Sequence, residues 1–189
     1  MTRPEKPALI LIDIQKGMDD LDYWGGRRNN PEAEENARQL LDYWRAEQLP
    51  VYHVKHNSTN PQSRLRPGQP GNEIKDIVKP QREEPLLQKH VNSAFIGTDL
   101  QQRLEAACIK TLVIVGLTTE HCVSTSVRMA ANLGFTVYLP SDATATFDKV
   151  GPQGKKFSAE TVHEVELASL HQEFATVLTT REVLKLVAH

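Results

Sequence analysis

The stretch Thr111–Val115 constrains the fold more than any other part of the sequence. Four of its five residues, Leu112 to Val115, are apolar at consecutive positions, so both faces of a strand there are hydrophobic. Such strands occur in parallel sheets that helices cover on both sides, whereas a strand with one face in water alternates apolar and polar residues. The stretch therefore predicts a central strand of a three-layer, Rossmann-like α/β fold.

Short β-branched runs alternate with longer amphipathic stretches elsewhere, which is typical of a parallel α/β sheet with helices on both faces. The 189 residues, with 39% hydrophobic and 24% charged, predict one globular domain over residues 1–189. The predicted strands are Ala8–Ile12, Val51–Lys55, Leu86–Lys89, Thr111–Val115, Thr136–Leu139 and Ala175–Leu178.

Capping patterns predict where several helices begin and end. Asn30-Pro31-Glu32 predicts a helix start, with Asn30 as the cap, and the helix runs to about Gln48. Thr98–Gln101 and Thr179–Glu182 fit the capping box, and Gly134 suits the end of a helix that starts near Glu120. The Pro- and Gly-rich segment 57–85 is predicted to be a long loop, either a functional lid or disordered.

Composition and charge exclude several classes of protein. The net charge is -2 without a Lys/Arg block, which speaks against a nucleic-acid partner. The first apolar run, Ala8–Ile12, is too short for a signal peptide or a membrane span. Only two cysteines occur, Cys108 and Cys122, and reduced thiols are expected. A cytoplasmic enzyme or binding protein with no membrane partner is predicted.

Three reactive residues follow predicted strands. Asp13 follows the first strand, Lys89 closes the third, and Cys122 lies beyond the fourth, after the turn Gly116–Thr119. Ligands of open α/β sheets bind outside the carboxyl ends of the strands. If the strands are parallel, all three side chains therefore lie at one edge of the sheet.

These three residue types together suit acyl transfer. A thiol attacks well only as thiolate, so it needs a base or a positive environment. Cys122 is predicted in the first turn of a helix, where free backbone N–H groups favour negative charge. Asp13 is the candidate proton acceptor, and Lys89 offsets its charge. Such a Cys122 is expected to be alkylated selectively over Cys108.

The same segments resemble the isochorismatase-like cysteine hydrolases. Ile10-Leu11-Ile12-Asp13-Ile14-Gln15 is similar to the family's opening strand, and Lys89-His90-Val91-Asn92-Ser93-Ala94-Phe95 to its lysine segment. Val115-Gly116-Leu117-Thr118-Thr119-Glu120-His121-Cys122-Val123 is similar to the nucleophile segment, and Asp142-Ala143-Thr144 to a turn after the fifth strand. The resemblance implies a catalytic triad of Asp13, Lys89 and Cys122.

The resemblance also implies structural details. It implies a six-stranded parallel sheet of order 3-2-1-4-5-6, in a homo-oligomer such as a dimer or tetramer. It implies a cis peptide bond between Leu117 and Thr118, and an oxyanion hole formed by the backbone N–H groups of Thr118 and Cys122. Phe95 is expected to line the pocket, and the further pocket candidates are Trp24, His56, Glu120 and His121.

Small-molecule hydrolysis is the implied activity. Family members mostly cleave C–N bonds of small amides, ureido and carbamoyl compounds through a thioester. One branch cleaves a vinyl ether and can work without a cysteine, so Cys122 favours amide chemistry while that alternative stays open. No cofactor is implied. A metal site like that of some nicotinamidases is not expected, because the Asp-x-His motif is missing around His53 and His56, which point to opposite faces of a strand.

A hypothesis of another class is a ligand-binding Rossmann-like module without catalysis. The turn after the first strand reads Asp13-Ile14-Gln15-Lys16-Gly17 rather than Gly-x-Gly-x-x-Gly, which weakens it. His163 and Glu166, at helical spacing, are interpreted as an ordinary helix face. Arg64 and Arg66 in the long loop are not expected to bind a carboxylate, because exposed loop arginines are rarely so specific.

Overall fold

A computed structural model describes residues 6–188 and contains one large parallel sheet. The strands in chain order are β1 Ala8–Ile12, β2 Val51–His56, β3 Leu86–Lys89, β4 Thr111–Leu117, β5 Thr136–Pro140, β6 Thr144–Ala145, β7 Lys149–Val150, β8 Lys156–Phe157 and β9 Thr176–Leu178. The large sheet has the order β3-β2-β1-β4-β5-β9, which confirms the predicted order, with β9 as the sixth predicted strand.

The sheet has a seventh strand that the sequence did not predict. β5 pairs with β4 only from Thr111 to Val113. The chain then leaves β5 at Pro140, passes through a short 3-10 turn, and returns as β6, which pairs with Gly116 and Leu117 at the end of β4. The two residues of β6 are too few to show a periodic pattern. The strand is therefore recognised only by its pairing with β4.

Helices cover both faces of the sheet, as the apolar sequence of β4 predicted. Alternate residues of β4 enter different hydrophobic clusters: Leu112 and Ile114 pack on one face, and Val113 and Val115 on the other. α3, α4 and α5 cover the first face, and α2 and α6 the second. The helices are α1 Leu21–Trp24, α2 Ala33–Ala46, α3 Leu100–Ala106, α4 Ser124–Asn132, α5 Ala159–Leu170 and α6 Thr180–Ala188.

The capping predictions are partly correct. Thr179 and Glu182 form the predicted reciprocal hydrogen bonds before α6. Gly134, with φ of 88°, follows the end of α4. Asn30 does not cap α2, because its amide donates to two carbonyls near β6 instead. The Thr98–Gln101 box is also wrong, since Asp99 stands at the N-cap and makes an ion pair with Arg103.

Within residues 6–188, no helix combines the length and the apolar character needed to cross a lipid bilayer.

Candidate functional site

Asp13 and Lys89 meet at the carboxyl edge of the sheet. β1, β2 and β3 are adjacent and parallel, so the residues at their ends are neighbours in space. Lys89 Nζ donates to Asp13 Oδ2 over 2.6 Å, and both side chains have no exposed surface. Asp13 has a positive φ of 53°, which turns the chain sharply after β1. The structure therefore brings together two residues that are 76 positions apart.

Cys122 lies beside this ion pair. Its Sγ, an Asp13 carboxylate oxygen and a ring nitrogen of His56 all lie within 4.8 Å of one another. The cysteine belongs to a π-helical turn, Thr119–Val123, rather than to the regular helix start that the sequence indicated. The Val123 N–H donates to the Thr118 carbonyl, five residues back. Single π-turns of this kind often occur at functional sites.

The electrostatic surroundings of Cys122 keep the thiol protonated. Burial raises its pKa well above the usual range, and the Asp13 carboxylate adds to this effect, while Lys89 only partly opposes it. Cys108, in contrast, is exposed. Burial of Cys122 and exposure of Cys108 argue against selective alkylation of Cys122, because a thiol reacts through its thiolate form and needs access to the reagent; the labelling experiment decides the matter.

His56, at the end of β2, contacts the same ion pair. Its Nδ1 lies 3.2 Å from Lys89 Nζ. Burial lowers the pKa of His56, and the Lys89 ammonium lowers it further. A neutral imidazole can accept a hydrogen bond from the Lys89 ammonium at Nδ1, so Lys89 is held between a carboxylate and a ring nitrogen.

His53 faces away from this site, as the alternation along β2 predicted. It is buried and its Nε2 lies 2.9 Å from Glu84 Oε2. Burial lowers the pKa of His53, although Glu84 opposes the shift. His53 therefore belongs to the support of the sheet and not to the site.

A cavity of about 200 Å³ opens above Asp13 and Cys122. Trp24, His56 and His121 line it, as predicted. Thr118 lines it as well, and the Leu117–Thr118 peptide bond is cis. The other lining residues, none of which was a predicted pocket residue, are Met18, Tyr23, Ser58, Asn60, Ser63, Leu65 and Asn92.

Two predicted pocket residues do not line the cavity. Phe95 is buried in the hydrophobic core, where its ring stacks on Phe135 with centroids 6.1 Å apart. Glu120 turns toward Lys149, whose Nζ lies 2.9 Å from its Oε1. A π-turn gives successive side chains different directions, so Cys122 and His121 reach the cavity while Glu120 does not.

The segment 57–85 is an ordered part of the site. Ser58, Ser63 and Leu65 in this segment line the cavity. The amide of Asn72 holds the segment, because its Nδ2 lies within hydrogen-bond distance of the His56 and Leu65 carbonyls and Asn57 Oδ1. This network joins residues up to 16 positions apart, and no local pattern indicates it.

His163 and Glu166 are not an ordinary helix face, contrary to the sequence interpretation. His163 is buried, and its Nδ1 lies 2.9 Å from the hydroxyl of Thr119, in the turn that carries Cys122. Glu166 accepts hydrogen bonds from Ser124 and Arg128, at the start of α4. Both residues of α5 thus brace the segment around the cysteine.

One group of described residues has the donor atoms for a metal ion: Asp13, His56 and Cys122. Oxygen, nitrogen and sulfur ligands of this kind suit zinc. Lys89 Nζ already contacts Asp13 Oδ2 and His56 Nδ1, however, so a cation would have to displace an ammonium group. With Lys89 between Asp13 and His56, the arrangement fits the acid, amine and thiol of acyl transfer better than it fits a metal.

Comparison with known proteins gives a consistent result. The sequence matches the family model of the isochorismatase domain over residues 7–182. It is 48% identical over 180 residues to the isochorismatase family protein YrdC of Bacillus subtilis, covering 95% of each chain. A solved hydrolase of the isochorismatase family from Chromobacterium violaceum has a TM-score of 0.92 and 42% identity, over 100% of this chain and 99% of that chain. Nicotinamidase 3 of Arabidopsis thaliana is 29% identical over 181 residues, which are 89% of this chain and 82% of that protein.

Proposed function

The chain belongs to the isochorismatase family and is a hydrolase of that family, and from this premise we propose that it cleaves a C–N bond of a small amide, ureido or carbamoyl compound, with Cys122 as nucleophile. The relationship to Nicotinamidase 3, whose name gives an amide as its substrate, supports amide chemistry. The presence of Cys122 in the cavity supports it over vinyl-ether cleavage.

One observation carries the proposal: Cys122 Sγ lies within 4.8 Å of a carboxylate oxygen of Asp13, and that carboxylate is held by Lys89 at 2.6 Å. The thiol donates to Asn92 Oδ1 over 3.8 Å, so its proton turns from that oxygen toward the Asp13 carboxylate before transfer. Because the pKa of Cys122 is raised by burial and by Asp13, the proton leaves only as the sulfur attacks.

The proposed cycle has two halves. In the first, Asp13 takes the thiol proton while Cys122 Sγ attacks the carbonyl carbon of the substrate. The tetrahedral intermediate then breaks its C–N bond, and Asp13 returns the proton to the leaving nitrogen. In the second half, Asp13 deprotonates a water molecule, which attacks the thioester. The C–S bond breaks, the sulfur regains a proton, and the acid product leaves.

Other groups stabilise the charges of this cycle. Lys89 keeps Asp13 in place and balances its negative charge. The backbone N–H groups of Thr118 and Cys122 are proposed to receive the oxyanion, which is the usual means of stabilising acyl-transfer intermediates. Both residues line the cavity, which supports this assignment.

An ammonia-release screen over small amides and ureido compounds tests the proposal. Cys122→Ala is expected to lower turnover by at least about 10⁴-fold, because the nucleophile and its base act as a unit. Asp13→Asn is expected to do the same. Cys108→Ala, which changes an exposed thiol outside the site, is the matched control and is expected to keep full activity.

Mass spectrometry of the protein with a turned-over amide gives a second readout, since a thioester adds the acyl mass to Cys122. With a vinyl ether as substrate, turnover that persists in Cys122→Ala and is lost in Asp13→Ala would instead support the vinyl-ether type of hydrolysis. The cytoplasmic location and the dimeric or tetrameric assembly stay predictions, and sedimentation of the purified protein checks the second.

A further inference from the structure

The wall of the cavity carries little charge. In the described part of the chain, none of the residues that line it is lysine or arginine, and its one carboxylate is that of Asp13. Besides Asp13, the lining includes two histidines, His56 and His121. The remaining wall consists of neutral polar and apolar side chains.

Two cations that adjoin lining residues, Lys89 and Arg64, already have partners. Lys89 contacts Asp13 and His56 and has no exposed surface. Arg64 donates to Asp20 over 2.5 Å, and its guanidinium lies 5.1 Å from the centre of the Tyr23 ring. Each of these positive charges is therefore engaged before a substrate arrives.

His56 does not supply a positive charge either. Burial and the Lys89 ammonium lower its pKa, so the ring is neutral at neutral pH. Its Nδ1 faces Lys89 Nζ at 3.2 Å, so this nitrogen is occupied within the protein. A negatively charged substrate group therefore meets no free cation here, since Lys89 is already paired with the Asp13 carboxylate.

The shape of the cavity limits the substrate to a compact molecule. Its volume of about 200 Å³ is below the roughly 300–1,000 Å³ that is typical of small-molecule sites. One side is apolar and rigid, because Trp24 donates from Nε1 to the Gly17 carbonyl over 2.7 Å and stacks on Phe147 at 5.9 Å. The other side offers neutral hydrogen-bonding groups from Ser58, Asn60, Ser63 and Asn92.

We infer that the site selects compact, uncharged amides or ureas and rejects those that carry a carboxylate, such as N-carbamoyl amino acids. This inference rests on the proposed function and narrows its substrate class. A carboxylate that enters the cavity loses water and gains no cationic partner, and burying an unpaired charge is strongly unfavourable. A neutral amide of the same size keeps its hydrogen bonds with the neutral polar side.

Pairs of compounds in which a carboxylate replaces one carboxamide test the inference, with the product identified so that release from the shared amide or ureido group is compared. Succinamide and succinamate have the same number of non-hydrogen atoms, as do N-carbamoylglycinamide and N-carbamoylglycine. We expect kcat/KM for ammonia release at pH 8 to favour the neutral member of each pair by at least about 100-fold. Equal values, or a preference for the carboxylate, would overturn the inference.

Binding to Cys122→Ala, measured by isothermal titration with the same four compounds, separates this inference from the proposed function. If no amide releases ammonia, the proposed function fails, yet the preference of the cavity is still measured. Binding of the anionic members as tight as that of the neutral ones overturns the inference whatever the catalytic result.

A charge placed on the wall provides the decisive variant. Asn60 lines the cavity and is exposed, so Asn60→Lys adds a cation there without burying it. Gln62→Lys adds the same charge to an exposed position of the same loop that is not part of the lining. We expect Asn60→Lys, and not Gln62→Lys, to raise the succinamate-to-succinamide ratio of kcat/KM by about 10-fold or more. An equal ratio in both variants contradicts the inference.

Discussion

Replacing Lys89 with methionine removes the cationic half of a fully buried ion pair. The side chains of Asp13 and Lys89 have no exposed surface, and Asp13 Oδ1 has no hydrogen-bond partner among the described residues. The carboxylate left behind in Lys89→Met is therefore both buried and poorly solvated. Breaking one side of such a pair costs about 3–5 kcal/mol of unfolding free energy.

For a chain of this length, each kcal/mol corresponds to about 2–4 °C in melting temperature, so Lys89→Met is expected to melt roughly 6–20 °C lower than the wild type. Urea unfolding followed by tryptophan fluorescence measures the free energy directly. The deficit should shrink as the pH is lowered, because a protonated carboxyl group carries no charge to bury.

Two further variants make the reasoning refutable. Lys16→Met breaks a largely exposed ion pair with Glu73 and should leave the urea midpoint almost unchanged. The double variant Asp13→Leu/Lys89→Met removes both charges and should recover wild-type stability or exceed it by about 1–4 kcal/mol, while remaining inactive. If Lys89→Met loses no more stability than Lys16→Met, water reaches the pair and the estimate is refuted.

Two other predictions follow from the surroundings of the cysteines and of one glycine. At pH 7.5, iodoacetamide should label the exposed Cys108 at least about 10-fold faster than Cys122, because burial and Asp13 raise the Cys122 pKa and keep it a thiol; faster labelling of Cys122 in peptide mass spectra would contradict this. A Cβ at Gly71 would lie 2.4 Å from the carbonyl oxygen of residue 64, so Gly71→Ala should displace the loop beside the cavity, cost about 1–3 kcal/mol in urea unfolding and raise KM more than it lowers kcat. Gly151→Ala is the control, because its Cβ would lie 3.1 Å from the movable ring of residue 157. It should leave the free energy of unfolding and KM unchanged.

The sheet and the ion pair were predictable because they depend on local patterns and one geometric rule. Apolar runs mark the strands, and parallel neighbours bring their carboxyl ends to one edge. This rule alone places Asp13 and Lys89 at that edge of the sheet. The strand order itself came from the family resemblance, since no local pattern distinguishes one order from another.

The cavity wall was less predictable because its contacts are made across the fold. Asn72 holds the loop through groups on other segments, and nothing in its neighbourhood along the chain indicates this. Phe95 was expected to line the pocket, but its ring packs in the hydrophobic core. α5 misleads in another way, because it buries His163 and leaves Val165 61% exposed, which is the opposite of the usual hydrophobic pattern.

Stability and reactivity make opposite demands on this site. Apolar residues in place of the buried Asp13–Lys89 pair are expected to be at least as stable, so the pair is better explained by chemistry than by folding. In the proposed cycle, the carboxylate that Lys89 holds at 2.6 Å takes the thiol proton at the moment of attack. Under the proposed mechanism, a raised thiol pKa at Cys122 suppresses side reactions in the absence of substrate, because the sulfur becomes nucleophilic only when a substrate offers its carbonyl carbon.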